Sequence, residues 1–310
     1  MKILTDFLNA QKPCAVAMGL FDGVHLAHRQ VIREMVALSE KQGLVPTVLT
    51  FSMGRVRPER KQGQQLLLSD RLKFEQFAEL GVCQVIEPDF ADIRDVGPEA
   101  FVRDFLAGRL GARALVCGYD FRFGKGAAGD GELLSRCGRT LGITVQVVPP
   151  FYKDGAPVSS TRIRECLLAG EVNEANALLG RPFCIRETVS QGNHLGNKMG
   201  YPTINQMFAP GFLVPKFGVY ATAVQIGDKR YKGVTNVGVK PTVAEEGQAP
   251  LAETFILGFD GILYNREVEL QFIHFLRPER RFPNLEELYS EIHRNVRQVE
   301  QMEDLLYPLA

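Results

Sequence analysis

Three stretches of this chain combine residue types suited to handling phosphate. The first is Gly19-Leu20-Phe21-Asp22-Gly23-Val24-His25-Leu26-Ala27-His28, placed where an apolar run ends and a helical pattern begins. Glycines permit the turn, and the amides of a helix N-terminus face an anion there. His25 and His28, three positions apart, can both donate to phosphate oxygens and stabilise charge building on a phosphorus under attack. The second, Ser159-Ser160-Thr161-Arg162-Ile163-Arg164, opens a helix. Its hydroxyls and guanidinium forks suit a polyphosphate chain, although such a cluster alone is also an ordinary helix cap. The third is Gly192-Asn193-His194-Leu195-Gly196-Asn197-Lys198-Met199-Gly200-Tyr201-Pro202-Thr203-Ile204-Asn205. Its glycines let the backbone wrap a nucleotide. Thr203 and Asn205, two apart on a strand, point the same way, so their oxygens can meet one hard cation.

Two kinds of rhythm must position these residues. Residues 14–150 alternate short apolar runs (14–18, 45–51, 82–86, 114–118 and 144–148) with helical patterns. These patterns run from about His28 to Lys41, around Asp70 to Leu80, through Phe101, Phe105 and Leu110, and from Gly131 to about Leu141. Such alternation predicts a parallel sheet with helices on both faces, which binds ligands outside the carboxyl ends of its strands. After Pro157 the segment 159–181 reads as two short helices turning at Gly170. From about Pro182 short alternating strands follow, separated by Gly, Pro and Asp turns. They predict a small antiparallel barrel. A last helix carries Leu285, Leu288, Ile292, Val296, Val299, Met302 and Leu306 at helical spacing. The predicted organisation is a first domain over 1–158, a helical connector over 159–181 and a second domain over 182–310.

The bulk properties narrow the function classes. A chain of 310 residues accommodates two domains, and 45% hydrophobic with 23% charged residues is globular composition. Lys+Arg and Asp+Glu both total 36, so there is no basic excess of the kind a general nucleic-acid binder carries. Any phosphate must be held by local geometry. The six cysteines are scattered without a CxxC pair and read as reduced, mostly buried thiols. Neither a signal peptide nor a membrane span is legible, which predicts a cytoplasmic protein without membrane partners.

The motifs, taken in order, resemble those of the bacterial bifunctional riboflavin kinase/FAD synthetase family over nearly the whole chain. Residues 19–28 resemble the HxGH signature of nucleotidylyltransferases, and Phe21-Asp22-Gly23-Val24-His25 narrows it to the FAD synthetase domain. Gly118-Tyr119-Asp120-Phe121-Arg122-Phe123-Gly124 is similar to that domain's G-x-DFRFG segment, and residues 159–164 to its second ATP motif. Residues 192–205 resemble the riboflavin kinase motif GxxxGxPTAN. Gly233-Val234-Thr235-Asn236-Val237-Gly238-Val239-Lys240-Pro241-Thr242 matches the NVGxxPT element. Glu253-Thr254 is similar to the segment holding that family's catalytic base, and residues 275–282 to its LRxExxF stretch near the flavin pocket.

The resemblance implies a Rossmann-like α/β nucleotidylyltransferase domain followed by a small antiparallel six-stranded β-barrel riboflavin kinase domain with a C-terminal helix. Riboflavin, FMN and ATP would be the partners, with Mg²⁺ as cofactor. The implied catalytic residues are Glu253 as base in the second domain, and His25 and His28 in the first. Nucleotide would be held by Gly19, Phe21, Asp22 and Gly23, by Ser159, Ser160, Thr161 and Arg162, and by Gly192, Gly196, Lys198 and Gly200. Thr203 and Asn205 would place the metal. Asp120 and Phe121 would meet flavin, while Arg277 either contacts ligand or closes a strand end. The chain departs from the family pattern at Ala27, which replaces the HxGH glycine, and at Ser52 to Arg57, which replaces a TFDPHP continuation. It departs again at Ala127, where an arginine is frequent. These departures carry a second expectation, a riboflavin kinase with an impaired or redirected first domain. A third, of another class, is a sensor that binds flavin and nucleotide without turnover.

Overall fold

The structure is a computed structural model that describes residues 1–7, 10–11, 13–51, 63–190, 201–239 and 250–306. The chain forms two compact units, Met1–Ser159 and Ser160–Ala310.

The first unit contains β1 (Lys2–Leu4), β2 (Cys14–Met18), α1 (Leu26–Gln42), β3 (Val45–Leu49), α2 (Asp70–Glu79) and β4 (Gln84–Ile86). It continues with α3 (Pro98–Ala100), which runs on as a π-helical segment Phe101–Arg109, then β5 (Ala112–Gly118), α4 (Gly131–Leu141) and β6 (Thr144–Val148). A small hairpin, β7 (Tyr152–Lys153) and β8 (Ala156–Pro157), follows. The sheet runs β1-β4-β3-β2-β5-β6 and every pairing is parallel. β2 is buried along its whole length, as expected for a central strand covered on both faces. Val16, Leu115, Cys117, Leu106 and Leu134 share one core cluster. The apolar runs of the sequence thus become the strands. α1 begins at Leu26 rather than near His28, because His25 takes the N-cap position and its ring nitrogen accepts from the His28 amide at 3.3 Å. The sequence reading also passes over β1, a three-residue edge strand that stays largely exposed.

The second unit opens with α5 (Ser160–Ala169) and α6 (Val172–Leu179). Six strands follow: β9 (Phe183–Thr188), β10 (Thr203–Met207), β11 (Gly218–Ile226), β12 (Lys229–Gly238), β13 (Leu251–Ile256) and β14 (Glu267–Pro278). They form an antiparallel sheet in the order β10-β13-β12-β11-β14-β9. The sheet curls into a half-barrel, and Ser190, just past β9, bridges Asn205 of β10. The buried Gln206 amide fastens this closure by donating to the Glu187 and Val268 carbonyls at 2.9 and 2.8 Å. α6 is tied to the strands through Asn176, which donates to the Phe272 carbonyl and accepts from the Phe183 amide. The final helix α7 (Leu285–Glu300) is capped by Asn284, whose side chain accepts from the Glu287 amide at 2.8 Å.

Strand alternation gives this sheet two different faces. One carries Tyr220, Phe272 and Phe183, with ring centroids 5.2 and 5.6 Å apart. The same face carries a chain of buried hydroxyls, Thr222, Thr235 and Thr254, each link 2.8 Å long. The opposite face packs Ala221 and Ala223 against Val299 of α7 and Leu305. Gly233 sits directly beside the hydroxyl chain. A β-carbon there would lie 2.6 Å from Thr222 Oγ1 and 3.0 Å from Thr254 Cγ2, so strand and chain would have to separate. Gly233→Ala is therefore expected to destabilise the second unit by about 1–3 kcal/mol. Chemical denaturation of the wild type and variant checks this; an unchanged midpoint would contradict it.

Candidate active sites

The first candidate site is built on the loop joining β2 to α1. The Gly19 amide donates to the Leu49 carbonyl, and a β-carbon on Gly19 would lie 3.1 Å from the Phe21 ring. Phe21 (φ 51°), Gly23 (φ 86°) and Val24 (φ 42°) all adopt left-handed backbone. That conformation costs a β-branched or aromatic residue free energy and persists only where surroundings enforce it. Here the enforcement is visible. The Phe21 ring meets Phe77 and His28 edge-on at 5.7 and 5.3 Å, and buried Asp22 accepts from the Leu67 amide at 3.0 Å. The loop delivers the rings of His25 and His28 stacked, with centroids 3.5 Å apart. Because His25 Nδ1 accepts from the His28 amide, neutral His25 carries its proton on Nε2, which leaves that nitrogen a donor.

β5 lies next to β2 with Met18 opposite Cys117, so Gly19 and Gly118 leave neighbouring strands at their carboxyl ends. The strand order diverges between these two strands, which is where parallel sheets of this type bind ligands. Asp120 is exposed at this edge, and a β-carbon on Gly118 would sit 3.3 Å from its Oδ1. Phe121 is half-buried and stacks on Phe123 at 5.7 Å. Burial pushes the Cys117 thiol up to about 12, so it stays protonated beneath this edge. Ser159 closes the first unit, while Ser160, Thr161 and Arg162 begin α5 in the second. Arg162 pairs with Glu174 at 2.6 Å. Residues Ser52 to Arg57 lie outside the described residues.

The second candidate site is a row across the half-barrel. Asn205 of β10 stands opposite Glu253 of β13, and Glu253 stands opposite Asn236 of β12. Directly opposed residues of antiparallel strands share a face, so these three side chains project together. Thr203 joins them by alternation, opposite Phe255. Asn205 is 2% exposed, and its Oδ1 has no hydrogen-bond partner among the described residues. Glu253 is half-buried. Gly192, Gly196, Lys198 and Gly200 of the preceding loop lie outside the described residues, as do Lys240, Pro241 and Thr242.

Asn236 is a site residue that motif reading left without a role. Its Nδ2 donates to Glu279 Oε1 at 3.4 Å, and Gly238 leaves the space that Glu279 occupies, since a β-carbon there would lie 2.0 Å from Oε1. The row ends at Arg277, reached through Val219. Arg277 is held by α7: its Nε donates to Asn295 Oδ1 at 3.1 Å and lies 3.2 Å from the buried Glu291 carboxylate, which Arg280 and Arg294 also approach.

Between this face and α7 lies a cavity of about 230 Å³, lined among others by Tyr201, Phe255, His293, Val296, Arg297 and Glu300. The Tyr201 hydroxyl meets His293 Nδ1 at 2.8 Å, and its ring stands edge-on to Phe255 at 5.1 Å. Burial, reinforced by Tyr289, raises the Tyr201 phenol above its ordinary value, so it remains neutral.

A stacked histidine pair at the carboxyl edge of a parallel sheet, and a Thr/Asn/Glu row beside an aromatic cavity on an antiparallel half-barrel, are the arrangement of a two-domain nucleotide-dependent transferase. Comparison with known proteins names it more closely. Residues 8–162 match the FAD synthetase family model, and residues 179–303 match the riboflavin kinase model. The bifunctional riboflavin kinase/FMN adenylyltransferase of Listeria monocytogenes is 33% identical over 90% of this chain and 89% of its own. The protein of the same description from Pseudomonas fluorescens is 34% identical over 91% of both chains, and that of Escherichia coli K12 is 32% identical over 95% of this chain and 96% of its own. A solved structure from Streptococcus pneumoniae, described as a macrolide-efflux protein, superposes with a TM-score of 0.86 at 25% identity, covering 97% of this chain and 99% of that one. Among the described residues of the present chain, no helix is long and apolar enough to cross a membrane. The chain belongs to the bifunctional riboflavin kinase/FMN adenylyltransferase family.

Proposed function

We propose that the second unit transfers the γ-phosphoryl group of ATP to the 5′-hydroxyl of riboflavin, and that the first unit joins the resulting FMN to the adenylyl group of a second ATP, releasing pyrophosphate. The observation that carries the reading is the row Asn205–Glu253 with Thr203, on the face that also walls an aromatic cavity. Glu253 takes the proton of the attacking hydroxyl, as a carboxylate beside a primary alcohol can. The buried Asn205 Oδ1, without a donor among the described residues, and the Thr203 hydroxyl on the same face are hard neutral oxygens suited to Mg²⁺. When bound, that ion neutralises charge on the ATP phosphates. The loop 192–200, with Lys198 as its point charge, completes the nucleotide site.

In the first unit no base is needed, because the FMN phosphate is already an anion at neutral pH. His25 and His28 donate to oxygens on the α-phosphorus as charge accumulates there. Gly19, Phe21, Asp22 and Gly23 shape the nucleotide turn, and Ser159, Ser160, Thr161 and Arg162 secure the triphosphate. Asp120 and Phe121, at the edge next to β2, contact the flavin. Ala27 falls inside α1, where alanine favours helix over glycine; its methyl occupies space that the family motif leaves open. That observation favours a second reading, in which only the kinase turns over. The setting we propose is the cytoplasm, where ATP and free flavin meet.

The test is to incubate the protein with Mg²⁺-ATP and either riboflavin or FMN, then separate the products chromatographically. FMN from riboflavin and FAD from FMN are both expected. FMN alone would select the second reading, and flavin binding without either product would sink the enzyme reading.

A further inference from the structure

The cavity under α7 is bordered by two exposed charges that make no ion pair among the described residues. Arg297 and Glu300 both line it, three residues apart on one helix and so on neighbouring positions of its surface. Among the described residues neither side chain forms an ion pair, with the other or with any third group. The Glu300 backbone is accounted for: its carbonyl accepts from Lys232 Nζ at 2.6 Å. The flank formed by the strand is apolar, with Phe255 and Leu257, and Val296 adds an apolar side chain from the helix itself. On a third wall Tyr201 meets His293 at 2.8 Å, and Tyr289 lies parallel to the His293 ring. The space, about 230 Å³, is smaller than pockets that enclose whole ligands, which run from about 300 Å³ upward. It suits one planar ring system whose tail leaves along the sheet. Glu253 lies on the same face, two residues from Phe255 along β13.

The ring of a flavin has the matching asymmetry. One edge is a dimethylbenzene. The other is a pyrimidinedione that presents carbonyl, N–H and carbonyl in sequence. A guanidinium can only donate and a carboxylate can only accept, so an adjacent Arg and Glu complement a carbonyl beside an N–H. We infer that Arg297 and Glu300 read the pyrimidine edge of riboflavin, Arg297 donating to a ring carbonyl and Glu300 accepting from the ring N3–H, with the dimethylbenzene edge against Phe255 and Leu257. This inference rests on the kinase reading. It assigns the selection of the ring, and hence the direction in which the ribityl chain points toward Glu253, to two residues of the final helix.

The test compares riboflavin with 3-methylriboflavin, which keeps both carbonyls and loses the N–H. Binding is followed by quenching of flavin fluorescence in wild type, Glu300→Ala and Arg297→Met, and the same samples are assayed for FMN. A hydrogen bond to a charged group corresponds to at least about a tenfold difference in affinity, so the wild type should prefer riboflavin by that factor. In Glu300→Ala, riboflavin binding should weaken about tenfold while 3-methylriboflavin binding holds, so the preference collapses. Arg297→Met should weaken both flavins alike and keep the preference. General loss of structure weakens both flavins together, so it cannot imitate the selective loss of riboflavin binding expected of Glu300→Ala; for Arg297→Met an unchanged thermal midpoint is required beside the binding result. If the wild type makes FMN and Glu300→Ala retains the preference, the assignment is wrong and the kinase reading stands. If the wild type makes no FMN, both fall together.

Discussion

Replacing Glu253 by Gln is expected to lower the rate of FMN formation by about 10²–10⁴-fold, the usual contribution of a positioned general base. The substitution preserves shape and leaves the pairing of β13 with β10 and β12 undisturbed, because that pairing is made by backbone groups. Riboflavin affinity and thermal stability are therefore expected to match the wild type, and the loss should fall on kcat rather than KM. The informative control is in the same molecule. Supplied FMN should still be converted to FAD at the wild-type rate, since Glu253 lies in the second unit and the histidine pair in the first. Unchanged FMN formation would remove Glu253 from the chemistry and leave the row as metal and nucleotide contacts only.

The second large effect is expected at His28. His28→Ala should depress FAD formation by about 10²–10³-fold, the range seen when one donor to a developing oxyanion is lost, and should leave FMN formation intact. His28 is a cleaner probe than His25. The His25 ring caps α1, so His25→Ala also removes a helix cap, a loss of about 0.5–2 kcal/mol. His25→Asn would keep an acceptor at the cap while removing the Nε2 donor. Comparing the two His25 variants separates folding from chemistry by thermal denaturation and FAD yield together. If His28→Ala makes FAD at the wild-type rate, the histidine pair serves only to build the loop.

Much of this was legible in the chain before any fold was known, for reasons that differ by element. The runs at 14–18 and 114–118 read as strands of a parallel sheet, because short apolar runs alternate there with helical patterns, and the glycines and histidines after the first mark its carboxyl end. Local signals of this kind act over a few residues. What stayed hidden depends on register and on distant partners. Asn236 acquires its place beside Glu253 only once β12 and β13 pair, and no spacing along the chain encodes that. The contact between Tyr201 and His293 spans 92 positions, so the cavity it closes has no sequence signature. Arg277 read equally as ligand contact or strand end; α7 engages it through Asn295 and Glu291, partners visible only after the helix docks. The early start of α1 escaped because histidine is an uncommon cap, and the shape of its loop, not its identity, puts it there.

The alternation of β13 has a consequence for how this protein can change over time. Glu253 and Phe255 lie on one face of the strand and are half-buried, Phe255 lining the cavity, whereas Ala252, Thr254 and Ile256 are buried. The proposed catalytic duty and the scaffolding duty are thus interleaved one residue at a time yet physically separated by the thickness of a single strand. If Glu253 is the base, a lineage could lose phosphoryl transfer by exchanging that one residue and still inherit an undamaged half-barrel with its hollow. A single-residue insertion in the same strand would do the reverse, turning the carboxylate inward and the scaffold outward at once. Descendants that retain the shape without the reaction are therefore far more accessible than descendants that retain the reaction in another shape.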